Sequence, residues 1–288
     1  MFEQLGLIGC GLMGGSFALA LKKAGLVKRV VGYSKSPSTT EKARQLGVID
    51  VEAPSALMAV SGADLVLVAV PVAATEATLK AVRHLIKPHM LLMDVGSTKR
   101  DVVDAARRVL GTNLGAFVPA HPIAGKEQAG VEHADAALYK GKQVILTPIE
   151  RTLTAQLQKA EQVWKALGAH VRMMSPDAHD AAYAAVSHLP HLLAFAYMNG
   201  IAAQTHGPDF LELAGPGFRD FTRIAASDPN VWRDIFNANR DELLAQSAHF
   251  RQALQALEDA LTQGGPDAVV PLIQQASQAR AAWHPAKN

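Results

Sequence analysis

The chain has 288 residues, which is enough for two domains of ordinary size. Apolar residues account for 49% of the chain and charged residues for 19%, the balance of a soluble globular protein. The formal net charge of +2 favours neither nucleic-acid binding nor a polybasic membrane patch. Because Cys10 is the single cysteine, an internal disulfide is excluded, and we expect a reducing, cytoplasmic environment.

The apolar segment 5–21 resembles a signal peptide or a membrane span only superficially. Four glycines interrupt it, and Glu3 rather than a basic cluster precedes it. It is also too short and too broken to cross a bilayer whose apolar core is roughly 30 Å thick. We therefore predict no membrane association.

The first half of the chain alternates short apolar runs with amphipathic stretches. Strands are predicted over residues 4–8, 29–33, 64–70, 90–95, 116–119, 143–147 and 169–173. Helices are predicted between them over residues 13–24, 39–46, 75–85, 100–110 and 153–167. The run 65–70 is apolar at every position, as in a strand that a parallel sheet buries on both faces. The pattern predicts an α/β fold with a Rossmann-type doubly wound sheet over residues 1–174.

The character of the sequence changes at Pro176. From there on no segment has the pattern of a strand, and alanine, leucine and glutamine dominate. Helical segments are predicted over residues 177–204, 229–261 and 268–283, separated by glycine–proline breaks. Residues 175–288 are therefore expected to form an all-helical second domain.

A glycine-rich turn lies between the first predicted strand and the first predicted helix. In a dinucleotide-binding fold the three glycines of Gly-x-Gly-x-x-Gly allow a tight turn, close approach of the pyrophosphate, and packing of helix on strand. The N–H groups at the start of the helix then bind the phosphates. We predict a nicotinamide-dinucleotide site that also includes the end of a neighbouring strand, with the residues Gly9, Cys10, Gly11, Leu12, Met13, Gly14, Val70 and Pro71.

The end of the second predicted strand bears on the choice of cofactor. It reads Tyr33-Ser34-Lys35-Ser36, without the carboxylate that binds the adenosine ribose hydroxyls of NAD. Two hydroxyls and a lysine suit the 2′-phosphate of NADP instead, so we favour NADP over NAD. The alternative is that these are ordinary loop residues and that another group binds the ribose.

Four further segments carry polar residues suited to catalysis. They are Asp94-Val95-Gly96-Ser97-Thr98-Lys99, His121-Pro122-Ile123-Ala124-Gly125, Ser187-His188-Leu189-Pro190-His191 and Gly215-Pro216-Gly217-Phe218-Arg219-Asp220-Phe221-Thr222-Arg223. Taken singly, each has a structural alternative: Ser97 as a helix cap, His121 as a loop residue, and both arginines as solvated helix charges. His188 and His191 lack a cysteine or carboxylate partner at ligand spacing, so we predict no metal site.

The glycine loop and these four segments, in their order along the chain, resemble the motifs of the prephenate and arogenate (cyclohexadienyl) dehydrogenases of tyrosine biosynthesis. The resemblance extends from Leu5 to about Asn239. The resemblance implies oxidative decarboxylation of prephenate or arogenate, with hydride transfer to NADP or NAD. It also implies that the helical second domain makes a homodimer.

The resemblance assigns a role to each motif. It makes His121 the base that takes the ring hydroxyl proton, with Ser97 orienting both the imidazole and the substrate. It makes Arg223 the cation that holds a substrate carboxylate, and His191 a substrate contact with Ser187 beside it. Glu127 matches a glutamate of the family and is a further substrate-binding candidate. Lys126 departs from the hydroxyl residue of several relatives, and its role stays open between a substrate carboxylate, a cofactor phosphate and Glu127.

Two other classes of protein remain as alternatives. A β-hydroxyacid dehydrogenase shares the Rossmann-plus-helical plan but needs a lysine and an asparagine one helical turn apart, and residues 187–199 contain no lysine. A non-catalytic NADP-binding regulator needs the glycine loop but not Ser97, His121, His191 and Arg223 together.

Overall fold

The strands of the molecule form two sheets within residues 1–126 and 128–284, the part of the chain that the computed structural model describes. The strands are β1 (Phe2–Ile8), β2 (Val27–Tyr33), β3 (Val51–Glu52), β4 (Leu65–Val68), β5 (Leu91–Asp94), β6 (Phe117–Val118), β7 (Ala120–Pro122), β8 (Gln143–Leu146) and β9 (His170–Met173).

The larger sheet has the strand order β3-β2-β1-β4-β5-β6, and all neighbouring strands are parallel. The order reverses beside β1, as in a doubly wound Rossmann sheet, and the carboxyl ends of β1 and β4 meet at that point. Open α/β sheets bind their ligands there. The smaller sheet has the order β7-β8-β9, with β7 antiparallel and β9 parallel to β8.

Helices of the first half connect the strands, and helices alone follow β9 in the described residues. In the first half they are α1 (Leu12–Lys23), α2 (Pro37–Gln45), α3 (Ala56–Val60), α4 (Thr75–Val82), α5 (Arg100–Leu110) and α6 (Thr154–Ala166). In the second half they are α7 (Pro176–Tyr183), α8 (Leu189–Ala202), α9 (Gly207–Glu212), α10 (Pro216–Thr222), α11 (Pro229–Ala238), α12 (Arg240–Gln263) and α13 (Val270–Ala282).

The parallel sheet is buried on both faces. On one face α1 and α6 contribute Phe17 and Trp164, whose ring centroids are 4.9 Å apart. On the other face α4 and α5 contribute Leu79 and Val102. All four residues of β4 are fully buried between these layers, as the apolar run predicts. The α/β class with its Rossmann-type sheet and helical second half is confirmed.

Several elements differ from the sequence-based prediction. The strands β3 and β7 and the helix α3 were not predicted, because two to five residues are too few to show a periodicity. The predicted strand 116–119 is shorter and gives way to β7 after Pro119. Since proline has no N–H to donate to a ladder, the chain leaves the large sheet at Pro119 and enters the small one.

The predicted long helices are divided. The segment 177–204 consists of α7, a five-residue π-helical turn (Ala184–His188) and α8, and the segment 229–261 divides at Asn239 into α11 and α12. Helices α9 and α10 lie where the sequence has its glycine–proline breaks. No helix within residues 1–126 and 128–284 combines the length and apolarity needed to span a membrane.

Candidate active site

The glycine loop makes the turn between β1 and α1. Gly9 has a φ of +99°, and a Cβ there would lie 2.1 Å from the carbonyl oxygen of Ala69. At Gly14 a Cβ would lie 2.1 Å from the carbonyl oxygen of Gly9, so only glycine lets α1 pack against the loop. At Gly11 a Cβ would meet nothing within 4 Å. The loop is therefore tight where it packs and open where a pyrophosphate approaches.

A cleft of about 490 Å³ adjoins this loop. The residue at the N-cap of helix α1 is Gly11, which has no side chain to cap the helix. The first N–H groups of α1 are therefore left for an anionic ligand. Trp232 and Ile235 of α11 line the cleft on the side of the helical half. The lining residues that the sequence predicted for the cofactor or for catalysis are Gly11, Leu12, Met13, Val70, Pro71 and Ser97. A cleft of this size next to an uncapped helix N-terminus could hold a dinucleotide.

The end of β2 is tied to the glycine loop by Ser34. The backbone N–H of Cys10 donates to the Ser34 hydroxyl at 2.8 Å, and Thr40 accepts from the Ser34 N–H at 3.2 Å. Lys35 and Ser36 follow on the exposed surface, where the Ser36 and Ser38 hydroxyls are 2.8 Å apart. Burial raises the pKa of the Cys10 thiol to about 11, so this cysteine stays protonated and chemically inert.

A buried ion pair lies under the carboxyl edge of the sheet. The Lys99 ammonium contacts the Asp94 carboxylate, and their side chains are 0% and 2% exposed. Lys99 also donates to the carbonyl of Ala120 at 2.8 Å. Asp94 accepts from the N–H groups of Gly96 at 2.8 Å and Ala120 at 3.0 Å. The pair therefore joins the end of β5 to the start of β7, one residue before His121.

The His121 ring is bonded to a second histidine. Its Nδ1 lies 2.8 Å from Nε2 of His179, and Nδ1 of His179 lies 2.7 Å from the carboxylate of Asp180. Burial lowers the pKa of His121 well below its usual value, and the nearby His179 and Lys99 lower it further. The ring is therefore neutral near pH 7, as a general base must be.

Asp180 holds several groups in place. It accepts from the backbone N–H groups of Lys99 and Arg100, both at 2.9 Å, and so caps α5 from a distant part of the chain. The capping role that sequence analysis allowed for Ser97 thus belongs to Asp180. Asn239 donates to the Asp180 carbonyl at 2.8 Å and contacts Nδ1 of His188 at 3.1 Å.

A second cavity, of about 640 Å³, adjoins the dinucleotide cleft and is lined by His191 and Arg223. The His191 ring stacks on Trp232 with a centroid distance of 3.5 Å. Its Nδ1 donates to the carbonyl of Ser187 at 2.9 Å, and burial lowers its pKa, so Nε2 remains a neutral acceptor. Ser187 contributes its backbone to the site by this bond.

Lys126 lines both cavities. Its ammonium donates to the carbonyl of His133 at 2.9 Å and lies 3.4 Å from the Asp135 carboxylate. Together with Arg223 it gives the second cavity two cationic side chains, which suits an anionic ligand. Glu127, the neighbouring substrate-binding candidate, lies outside the described residues.

Five of the predicted cofactor residues line one cleft together with Ser97, and two of the predicted substrate residues, His191 and Arg223, line the adjoining cavity. The predicted residues Gly9, Cys10, Gly14, Ser34, Lys35, Ser36, His121 and Ser187 are not among the lining of either. Sequence reasoning did not single out His179, Asp180 and Asn239. Their signal was weak, because a histidine beside an aspartate is common and the bond to His121 joins residues 58 positions apart.

Comparison with known proteins agrees with this geometry. Residues 17–173 match the family model described as "Prephenate dehydrogenase, nucleotide-binding domain", and residues 175–275 match "Prephenate dehydrogenase, dimerization domain". The chain is 39% identical to a prephenate dehydrogenase of Bacillus subtilis over 85% of its own length and 66% of that protein. It is 33% identical to a cyclohexadienyl dehydrogenase of Zymomonas mobilis, over 98% of this chain and 96% of that one.

Among solved structures, prephenate dehydrogenase from A. aeolicus in complex with hydroxyphenyl propionate and NAD+ superposes with a TM-score of 0.91. The two sequences are 35% identical, and the match covers 98% of each chain. The family models between them span nearly the whole described chain. This chain belongs to the prephenate dehydrogenase family.

Proposed function

We propose that the chain catalyses the oxidative decarboxylation of prephenate, of arogenate or of both, with hydride transfer to NAD(P), in tyrosine biosynthesis. One observation carries the proposal: the buried Lys99–Asp94 pair joins the end of β5, which leads into the dinucleotide cleft, to the residue before a partly buried, neutral His121, and the adjoining cavity carries the cations Lys126 and Arg223. Membership of the prephenate dehydrogenase family supports it.

The chemistry requires a base at the ring hydroxyl. Both substrates carry a carboxylate at ring carbon C1 and a hydroxyl at C4; loss of CO2 from C1 and of a hydride from C4 makes the ring aromatic. The bound nicotinamide supplies the hydride acceptor. As a carbonyl develops at C4, Nε2 of His121 takes the hydroxyl proton and returns it to the phenolate oxygen once CO2 has left. We assign Ser97 to orient the hydroxyl and the imidazole.

The substrate carboxylates require cations or hydrogen-bond donors held away from the reacting carbon. We assign Arg223 to one of them, as a charge-assisted contact, with His191, Ser187 and Glu127 completing the substrate site. Lys126 borders both cavities, and we assign it to the second carboxylate of prephenate, which would compete with Asp135 for its ammonium. Arogenate carries an ammonium group where prephenate has a keto group, and two cations in the cavity therefore favour prephenate.

For the cofactor we propose NADP in preference to NAD. The backbone of residues 9–14 would hold the pyrophosphate, with Val70 and Pro71 along the cleft, and Ser34, Lys35 and Ser36 would hold the 2′-phosphate. The Ser34 hydroxyl accepts from the Cys10 N–H, so the end of β2 lies directly beside the glycine loop. The A. aeolicus relative was crystallised with NAD+, so NAD is the alternative.

We further propose two domains, residues 1–174 for the dinucleotide and residues 175–288 for substrate binding and homodimerisation. Ser175 and Pro176 support the division, because Ser175 accepts from the Ala178 N–H at 3.1 Å and begins α7 directly after the last strand. Exposed apolar side chains on the later helices support a homodimer; they include Phe221, Leu261 and Ile273. The proposed location is the cytoplasm, which suits a lone free cysteine.

A two-by-two assay tests this function. Purified protein is given prephenate or arogenate, each with NADP+ or NAD+, while reduced cofactor and CO2 are measured. We expect turnover with prephenate and NADP+, and less with NAD+. Activity with a 3-hydroxy acid and none with either cyclohexadiene would favour the β-hydroxyacid dehydrogenase, and binding of NADP without turnover would favour a regulator.

A further inference from the structure

Three side chains, Asp180, His179 and His121, form a row of hydrogen bonds that runs from the start of α5 to the proposed base. Asp180 contacts Nδ1 of His179, and Nε2 of His179 contacts Nδ1 of His121, over distances of 2.7 and 2.8 Å. The side chains of His179 and Asp180 are 0% exposed, so water does not compete for these bonds. The His179 ring is held between them by stacking on Tyr183, at a centroid distance of 4.5 Å.

The direction of each hydrogen bond follows from Asp180. Its carboxylate accepts from two backbone N–H groups at the start of α5, which holds its charged form. Burial raises the pKa of Asp180, but the bonds from His179 and from the backbone of Arg100 and Lys99 outweigh it and lower the pKa overall. An ionised carboxylate only accepts, so Nδ1 of His179 carries the proton.

The proton on His179 determines which nitrogen of His121 is protonated. Burial lowers the pKa of His179 although Asp180 opposes it, so His179 carries a single proton near pH 7. With that proton on Nδ1, its Nε2 is an acceptor, and Nδ1 of His121 must be the donor to it. The neutral His121 ring is left with its lone pair on Nε2, the nitrogen that faces away from His179.

We propose that Asp180 and His179 act together as a positioning pair that fixes the tautomer of His121 and stabilises the imidazolium it becomes. The inference rests on the proposed function, in which His121 takes the C4 hydroxyl proton. No proton leaves the row: His179 keeps its Nδ1 proton throughout, and only Nε2 of His121 gains and returns one. His179 therefore acts through His121 and does not touch the substrate.

Other titratable groups lie around these three side chains and affect the pKa values of the two histidines. Lys99 at the start of α5 disfavours a positive His121 and His179, while Asp94 at the end of β5 favours a positive His179. His188 of the π-helical turn disfavours a positive His121, and burial lowers its pKa to about 4, so it adds no charge near pH 7. Tyr183 of α7 packs on both rings and stays protonated, since burial raises its pKa to about 12.

The test compares two substitutions of the middle histidine. His179→Phe keeps an aromatic ring against Tyr183 but can neither accept from His121 nor donate to Asp180. His179→Gln keeps an amide oxygen that accepts and an amide N–H that donates. The control is His206→Gln, which removes a histidine from an exposed pair with Asp209, 3.2 Å apart.

For His179→Phe we expect kcat to fall about 10- to 100-fold, the effect on a rate of losing one charge-assisted hydrogen bond, with KM nearly unchanged. The acid limb of the kcat/KM profile should move about one unit to lower pH, because His121 becomes a weaker base. His179→Gln should recover most of kcat and restore the acid limb, and His206→Gln should resemble the parent. Equal losses in both His179 variants with an unmoved acid limb would overturn the proposal.

A second readout does not depend on turnover. In the free protein, nitrogen-15 spectra of the histidine rings report which ring nitrogen carries the proton. We expect both His121 and His179 to carry it on Nδ1, and His121 to lose that preference in His179→Phe. A parent His121 protonated on Nε2 would overturn the positioning pair, whereas a parent without turnover on prephenate or arogenate would overturn the proposed function and leave this result standing.

Discussion

Replacing Lys99 by methionine should destabilise the fold far more than the loss of an ordinary lysine. The Lys99–Asp94 pair is almost completely buried, and Lys99→Met leaves the Asp94 carboxylate with two backbone N–H donors and no cation. Removing one partner of a buried ion pair leaves the other charge without compensation in a medium of low dielectric, which lowers the free energy of unfolding by about 3–5 kcal/mol. Since folded domains are stable by only about 5–15 kcal/mol, the effect is large.

Urea unfolding at a fixed protein concentration measures this, because the stability of the proposed homodimer would depend on concentration. Lys165→Met is the matched control: Lys165 pairs with Glu161 at 2.6 Å on the exposed face of α6, and such a pair contributes about 0.3–0.5 kcal/mol. The double variant Lys99→Met with Asp94→Asn should lose less than the sum of the single changes, since the stranded charge is gone. A loss below about 1 kcal/mol for Lys99→Met would refute the argument.

Three further changes have defined outcomes. Arg223→Ala should raise the KM for prephenate about 10-fold with little change in kcat, because a carboxylate contact acts in ground and transition state alike; an unchanged KM removes Arg223 from the site. Lys35→Ala should raise the KM for NADP about 5-fold and leave that for NAD unchanged, and equal effects on both would remove Lys35 from the phosphate site. The free energy of unfolding should fall as the pH is lowered from 6.5 to 4. Burial lowers the pKa of His188 to about 4, so on acidification the unfolded chain takes up a proton on this residue before the folded chain does. This difference removes up to about 3 kcal/mol of stability that is present above pH 6.5. His188→Gln should flatten that pH dependence of the urea midpoint; an unchanged slope contradicts the assignment.

The glycine loop and the buried strands could be predicted because their causes are local. Gly9 and Gly14 are required by close backbone contacts within the turn itself, and the all-apolar β4 follows from burial on both faces. The sequence pattern therefore predicts the doubly wound parallel sheet, the position of α1 and the edge of the sheet at which the candidate site lies. Residues 65–68 need no information from elsewhere in the chain to be recognised as a central strand.

The environment of the base could not be predicted in the same way. His121, His179 and Lys99 come from three segments, and their bonds depend on how β7 and α7 pack against the start of α5. Likewise the break at Pro119 could be suspected from the residue, but its consequence, a strand in a second sheet, depends on the partner β8. Long-range packing, not local preference, decides both.

The central claim is that His121 is the base of an oxidative decarboxylation, and product stoichiometry in the parent and in His121→Asn tests it most directly. With prephenate and NADP+, the parent should release CO2 and NADPH in a one-to-one ratio. The variant should keep that ratio and its cofactor affinity while kcat falls about 10²–10⁴-fold, the usual contribution of a general base. Reduced cofactor without CO2, or a His121→Asn variant with near-parental kcat, would contradict the account.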